Sequence, residues 1–127
     1  MTRQAVSTSG APAAIGPYSQ GIASADLVFC SGQLGLDPST GEMAAGVEAQ
    51  AERALRNLAA VLDAAGCSWG DVVKTTIYLA DIADFGAVNG VYAGFTPDPP
   101  PARSTFAVGA LPKGGLVEID AIARRRS

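Results

Sequence analysis

The sequence contains no histidine. That absence excludes histidine-based triads, histidine general bases and histidine-ligated metals. Any proton transfer must fall to Glu, Asp, Tyr, Lys, a terminus or water. Cysteine is nearly as scarce, with only Cys30 and Cys67. Two thiols in such a chain read as free and reduced, which fits the cytosol. Metal ligands do not cluster, so no metal is expected. Charge is sparse at 17% of residues, with a net charge of −3. An acidic chain without interleaved basic and aromatic residues is not drawn to nucleic acid or to an anionic membrane. Its one basic run, Arg124-Arg125-Arg126, reads as a solvated tail. No apolar run approaches the ~20 residues that span a bilayer. The first residues, Met1-Thr2-Arg3-Gln4, lack the apolar core of a secretion signal, which again points to the cytoplasm. Neither G-x-G-x-x-G nor G-x-x-x-x-G-K-[ST] occurs, so no phosphate cradle is signalled.

What is present is an ordinary globular balance. The chain has 127 residues, 48% of them hydrophobic, which suits a single domain over residues 1–127. The first 25 residues read as strand, loop, strand, the loop punctuated by Gly10, Pro12, Gly16 and Pro17. A strand follows over about Leu27 to Gln33, then turn chemistry at Asp37-Pro38-Ser39-Thr40-Gly41. A long helix is expected from Val47 to Ala65. Ala51, Ala54, Leu55, Leu58, Val61, Leu62 and Ala65 form its core stripe, and Gly66 stands just past its end. Glu52 and Arg56 lie four apart in the favourable order. Val72 to Leu79 is rich in β-branched residues and reads as a strand. Asp84 is a candidate N-cap for a second helix through Phe95, with Phe85, Val88, Tyr92 and Phe95 as its stripe. Prolines from Pro97 to Pro101 stop regular structure. Two strands close the chain, about Arg103 to Val108 and Leu116 to Ala123. The turn residues Pro112-Lys113-Gly114-Gly115 between them suggest a hairpin.

The order β-β-β-α-β-α-β-β predicts an α+β fold with both helices on one face of a mixed sheet. In the last strand Val117, Ile119 and Ala121 point one way, and Leu116, Glu118, Asp120 and Ile122 the other. Neither face is polar enough for open water. The helix-free face is therefore expected to pack on other copies of the chain.

Several residues could carry chemistry. Arg103 opens a strand just after a rigid proline run, and its planar fork matches a carboxylate. A surface ion pair is the plainer alternative. Glu118 lies in a strand between apolar neighbours, where burial would raise its pKa toward proton-transfer use. Its alternative is a cross-sheet partner of opposite charge. Asp120 shares its face and could repel it. Tyr18 ends the Pro-Gly loop and could donate to a ligand, or simply pack. Ser31-Gly32-Gln33, at a strand end, could offer backbone N–H groups.

These residues also carry a family resemblance. Ala11 to Gly21, containing Ile15-Gly16-Pro17-Tyr18-Ser19-Gln20, resembles the opening motif of the RidA (YjgF) family. Ser31-Gly32-Gln33 with Asp37 to Gly41, Asp71 to Thr76, and Phe85-Gly86-Ala87-Val88-Asn89 resemble its middle blocks. Pro101-Ala102-Arg103-Ser104 and Val117-Glu118-Ile119-Asp120-Ala121 resemble its closing signature. The resemblance covers nearly the whole chain.

It implies a chorismate-mutase-like fold, a six-stranded mixed sheet with two helices on one face. It further implies a homotrimer with active sites in the clefts between subunits. The implied activity is hydrolysis of 2-aminoacrylate, 2-iminopropionate and related 2-imino acids to the keto acid and ammonia, without a cofactor. By position, Arg103 matches the carboxylate-binding arginine and Glu118 the glutamate that positions or activates water. Tyr18 matches the tyrosine lining the site, Asn89 the asparagine near the cleft, and Ser31 and Gly32 the strand residues beside the ligand. Thr105 stands where family members often carry a cysteine. A hydroxyl there keeps hydrogen bonding and loses thiol chemistry. Pro100 stands where an aromatic is common, in a short proline-heavy loop that leaves the cleft wall open. Two other readings remain: a ligand-binding or holdase-like protein without catalysis, and an endoribonuclease.

Overall fold

The computed structural model describes residues 2–126. Its elements are β1 (Arg3–Val6), β2 (Gly21–Ser24), β3 (Leu27–Leu34), α1 (Val47–Ala64), β4 (Val72–Leu79), α2 (Phe85–Ala93), β5 (Ala102–Ala107) and β6 (Val117–Arg124). The six strands form one sheet in the order β1-β2-β3-β6-β4-β5. Every neighbouring pair is antiparallel except β4 and β5, which are parallel with α2 as their crossover. The expected α+β fold, with its six-stranded mixed sheet and two helices, is what the structure shows.

The α1 stripe packs on β3 and β6. Ala51, Ala54, Leu55, Leu58, Val61 and Leu62 are fully enclosed against Val28, Ile77, Leu79, Val117, Ile119 and Ala123 of the sheet. Each fully buried Leu or Ile contributes roughly 1.5–3 kcal/mol of transfer free energy, so this interface dominates the stability. Gly66 ends α1 with φ +81°, the left-handed conformation its position predicts. Glu52 and Arg56 pair at 3.1 Å on the exposed side.

The hairpin expected between the last two strands does not form. Here β4 lies between β5 and β6. Val117, Ile119, Ala121 and Ala123 are all buried, so β6 runs through the middle of the sheet with β3 on one edge and β4 on the other. Turn chemistry at Pro112–Gly114 marks where the chain turns, not which strand it pairs with. Residues 108–116 cross the end of β4, where Val108 N donates to Leu79 O and Ala80 N to Leu116 O.

Three smaller expectations also change. Asp84 makes no side-chain cap; Asp81 instead accepts from Ala83 N at 2.9 Å and starts a 3₁₀ turn ahead of α2. Of the α2 stripe, Val88 and Tyr92 are buried, but Phe85 stays 39% exposed. The arginine run is no free tail. Arg124 pairs with Asp26 at 2.7 Å, Arg126 pairs with Asp71 at 2.8 Å, and Arg125 donates to Ala25 O. The Arg124–Asp26 pair is exposed on both sides and adds little stability.

On the helix-free face Phe29 lies opposite Ile122, and Tyr78 lies opposite Phe106 with the rings edge to face at 5.4 Å. Phe29 and Phe106 are 42% and 45% exposed.

Candidate active site

The opening loop is shaped by one buried glutamine. Gln20 Oε1 accepts from Thr8 N at 2.7 Å. Its Nε2 donates to Pro12 O at 2.7 Å and lies within bonding distance of Thr8 O and Ala11 O. An apolar residue could not hold those carbonyls. The loop then turns at Gly16, with φ +120°, and presents Tyr18. Ser31 staples this loop to β3: its hydroxyl donates to Ser19 O at 2.6 Å and its N–H to Gln20 O at 2.9 Å. The Ser31 proton is therefore already committed, and a ligand meets it only as an acceptor.

Ser31 and Gly32 lie inside β3, not at its end as the sequence suggests. Cys30 pairs with Ala121 and Gln33 with Ile119, so two residues of β3 face the single Asp120. This is a β-bulge, which breaks the ladder and re-aims the strand. Beside it, Gly32 lets the Glu118 carboxylate lie directly on the backbone. A Cβ at Gly32 would overlap Glu118 Oε2 and sit 2.8 Å from its Cδ.

Glu118 is half-buried and makes no side-chain hydrogen bond or ion pair among the described residues, so the cross-sheet partner considered for it is absent. Burial, then the charge of Asp120, raises its pKa above the ordinary carboxylate value. Asp120 itself accepts from Tyr78 Oη at 2.8 Å. Donating that bond, and then its own burial, push the Tyr78 phenol up. Tyr18, Ser31, Gly32 and Glu118 together line a hollow of about 650 Å³. Apolar residues such as Ile15, Leu34 and Pro112 complete its wall, with Lys113 as the one cation in the lining. Lys113 holds a left-handed backbone, φ 58°. Sequence reasoning gave Gln20 and Lys113 no role.

Arg103, Asn89 and Thr105 are elsewhere. None of them lines that hollow. Arg103 pairs with Thr75, a wholly buried residue on the helix side of β4, whereas Glu118 pairs with Tyr78 on the open side. The sheet itself therefore separates the arginine from the glutamate within one chain. Arg103 makes no side-chain hydrogen bond or ion pair among the described residues, so the surface ion pair considered for it is absent too. Its guanidinium lies over two α2 rings, 5.0 Å from the Tyr92 centroid and 5.5 Å from that of Phe85. Asn89 stands four residues after Phe85 and three before Tyr92, on the same side of α2. Thr105, two along from Arg103, has a buried Oγ1 with no partner.

Neither cysteine offers a reactive thiol. Both are free and buried, and burial pushes the Cys30 thiol up to about 12. Among the described residues no helix is long and apolar enough to cross a membrane.

A family model described as Endoribonuclease L-PSP matches residues 8–125. A 2-iminobutanoate/2-iminopropanoate deaminase of Mus musculus is 51% identical over 122 residues, covering 95% of this chain and 90% of the relative. A chloroplastic Reactive Intermediate Deaminase A of Arabidopsis thaliana is 52% identical, covering 95% of this chain and 65% of that longer protein. The crystal structure of RidA from the Antarctic bacterium Psychrobacter superposes with a TM-score of 0.93 at 46% identity, covering 95% of this chain and 98% of that one. On sequence and fold alike, the chain belongs to the Endoribonuclease L-PSP family, the RidA (YjgF) family its motifs resemble.

Proposed function

We propose that this chain is a cytoplasmic hydrolytic deaminase of small 2-imino acids, as its relatives are named, and that it works as a homotrimer without a cofactor. One observation carries the reading. The chain holds an arginine with a free guanidinium edge on one side of its sheet, and a glutamate of raised proton affinity beside a glycine on the other. Arg103 sits on the edge strand β5, so a second copy packed with that edge against the open face of its partner would bring one protomer's arginine to its partner's glutamate. Both halves would then be parts of one site.

In that cleft the in-plane N–H groups of Arg103 fork the substrate carboxylate. Tyr18 and Asn89 flank the substrate plane, with Thr105 near the carboxylate and Ser31 and Gly32 beneath it. Glu118 takes a proton from water as the oxygen adds to the imine carbon. The same proton goes to nitrogen, giving a carbinolamine; the hydroxyl proton then follows it to nitrogen, the C–N bond breaks, and ammonia leaves as the keto oxygen forms. An imine carbon is already electrophilic, so positioning plus a proton shuttle worth ~10²–10⁴-fold suffices. The family's description also names a ribonuclease. The hollow's single cation, Lys113, gives no track for a phosphate backbone.

The test is direct. Serine and a pyridoxal-phosphate-dependent dehydratase generate 2-aminoacrylate and its imine, and pyruvate release is followed with and without this protein. Faster release that is lost in Arg103→Ala supports the reading. An unchanged rate with intact trimeric protein refutes it.

A further inference from the structure

The α2 stripe contains an anomaly that core packing does not explain. Phe85 is the first residue of the helix and remains 39% exposed, yet its ring lies against Arg103. Tyr92, two helical turns on, presents its ring to the same guanidinium from a buried position. The Tyr92 hydroxyl is fixed in turn, at 2.7 Å from Thr75 Oγ1. Thr75 is wholly buried and is the residue paired with Arg103 across the β4–β5 ladder. Strand, helix and arginine thus close a loop of contacts around one side chain.

We infer that Phe85 and Tyr92 form an aromatic seat that positions Arg103 for its carboxylate ligand, with Thr75 tethering the seat to the sheet. This rests on Arg103 being the carboxylate grip proposed above. A guanidinium attracts a ring through its flat face. Its five N–H donors lie in the plane, at the edge, and stay free for the carboxylate. Holding the cation over the two rings therefore positions the fork without using any of its donors. An ion pair with a protein carboxylate would do the opposite and occupy the fork. The seat also removes rotamer freedom from a long side chain before the ligand arrives, so less is lost on binding. Phe85 and Tyr92 are positioning residues, acting through Arg103.

The experiment compares Phe85→Leu, Phe85→Trp and Arg103→Met with the wild-type protein, using pyruvate and its uncharged analogue pyruvamide as titrants. Ile82→Ala, at an exposed position three residues earlier, serves as a control. Because Phe85 is exposed, leucine there leaves the thermal midpoint near its wild-type value. Phe85→Leu should weaken pyruvate binding about five-fold and leave pyruvamide unchanged, the size expected for one lost ring contact. KM for the imine should rise by a similar factor while kcat holds, the mark of lost ground-state binding. Phe85→Trp, which keeps a ring face, should restore both. Wild-type affinity and KM in Phe85→Leu would overturn the seat. So would equal losses for pyruvate and pyruvamide, which would make Phe85 mere packing. Pyruvate binding that survives Arg103→Met would instead show that the carboxylate grip itself is wrong.

Discussion

Gly32→Ala is the sharpest perturbation of the glutamate half of the site. Gly32 lies outside the left-handed region, so alanine suits its backbone and the change acts through its Cβ alone. That atom would overlap Glu118 Oε2 and lie 2.8 Å from Cδ and 3.0 Å from Cγ. Carbon contacts settle near ~3.5–4 Å, so the carboxyl must retreat by roughly 1 Å. Glu118 is half-buried and unpaired, so it can swing outward. The stability cost should stay under about 1.5 kcal/mol, at the low end for overpacking. Catalysis has no such slack, since a misplacement of ~1 Å lowers rate about 100-fold. The assay is pyruvate release from the coupled dehydratase reaction, with a urea melt on the same sample. Gly90→Ala, in α2 with open space where its Cβ would go, is the control. We expect kcat to fall about 100-fold in Gly32→Ala with a near-normal melt. A kcat within about three-fold of wild type would refute the placement of Glu118 as the group that handles water.

Two further predictions follow from the same structure. Glu118 has its pKa raised by burial, so the folded chain keeps that proton to higher pH than the unfolded chain does. The wild type therefore loses stability as pH rises above the ordinary carboxylate value. Glu118→Gln, which cannot titrate, should gain in melting temperature relative to wild type between about pH 4 and 7, whereas a flat difference would contradict the raised pKa. Gln20→Leu strips the buried partner from Thr8 N and from the loop carbonyls it serves. It should cost about 2–4 kcal/mol in urea unfolding and expose the opening loop to limited proteolysis.

The helices and strands were legible in the sequence because each carries its own period. The α1 stripe and the alternation of β6 name their buried sides residue by residue. Strand pairing was not legible. A turn at residues 112–114 says that the chain reverses, whereas the partner of β6 depends on β3 and β4, which are far away in sequence. That same long-range fact decides the site. Arg103 and Glu118 are close in sequence and belong to one expected constellation, yet β5 and β6 flank β4 and present them to opposite faces. Phe85 and Tyr92 were visible as a helical stripe, but periodicity cannot tell a core ring from one that holds a cation. Gln20 gave no local signal, because its carbonyl partners lie in irregular backbone.

The central claim is that one protomer's Arg103 works with another's Glu118. Co-expressing Arg103→Ala and Glu118→Gln chains, each inactive alone, tests it most directly through imine hydrolysis by the mixed trimers. Random assembly from equal amounts leaves about a quarter of the inter-subunit sites with both residues intact, and activity should return to about that fraction of wild type. If both residues served a site within one chain, no mixture could contain an intact site. Activity no higher than that of the single variants would contradict the account.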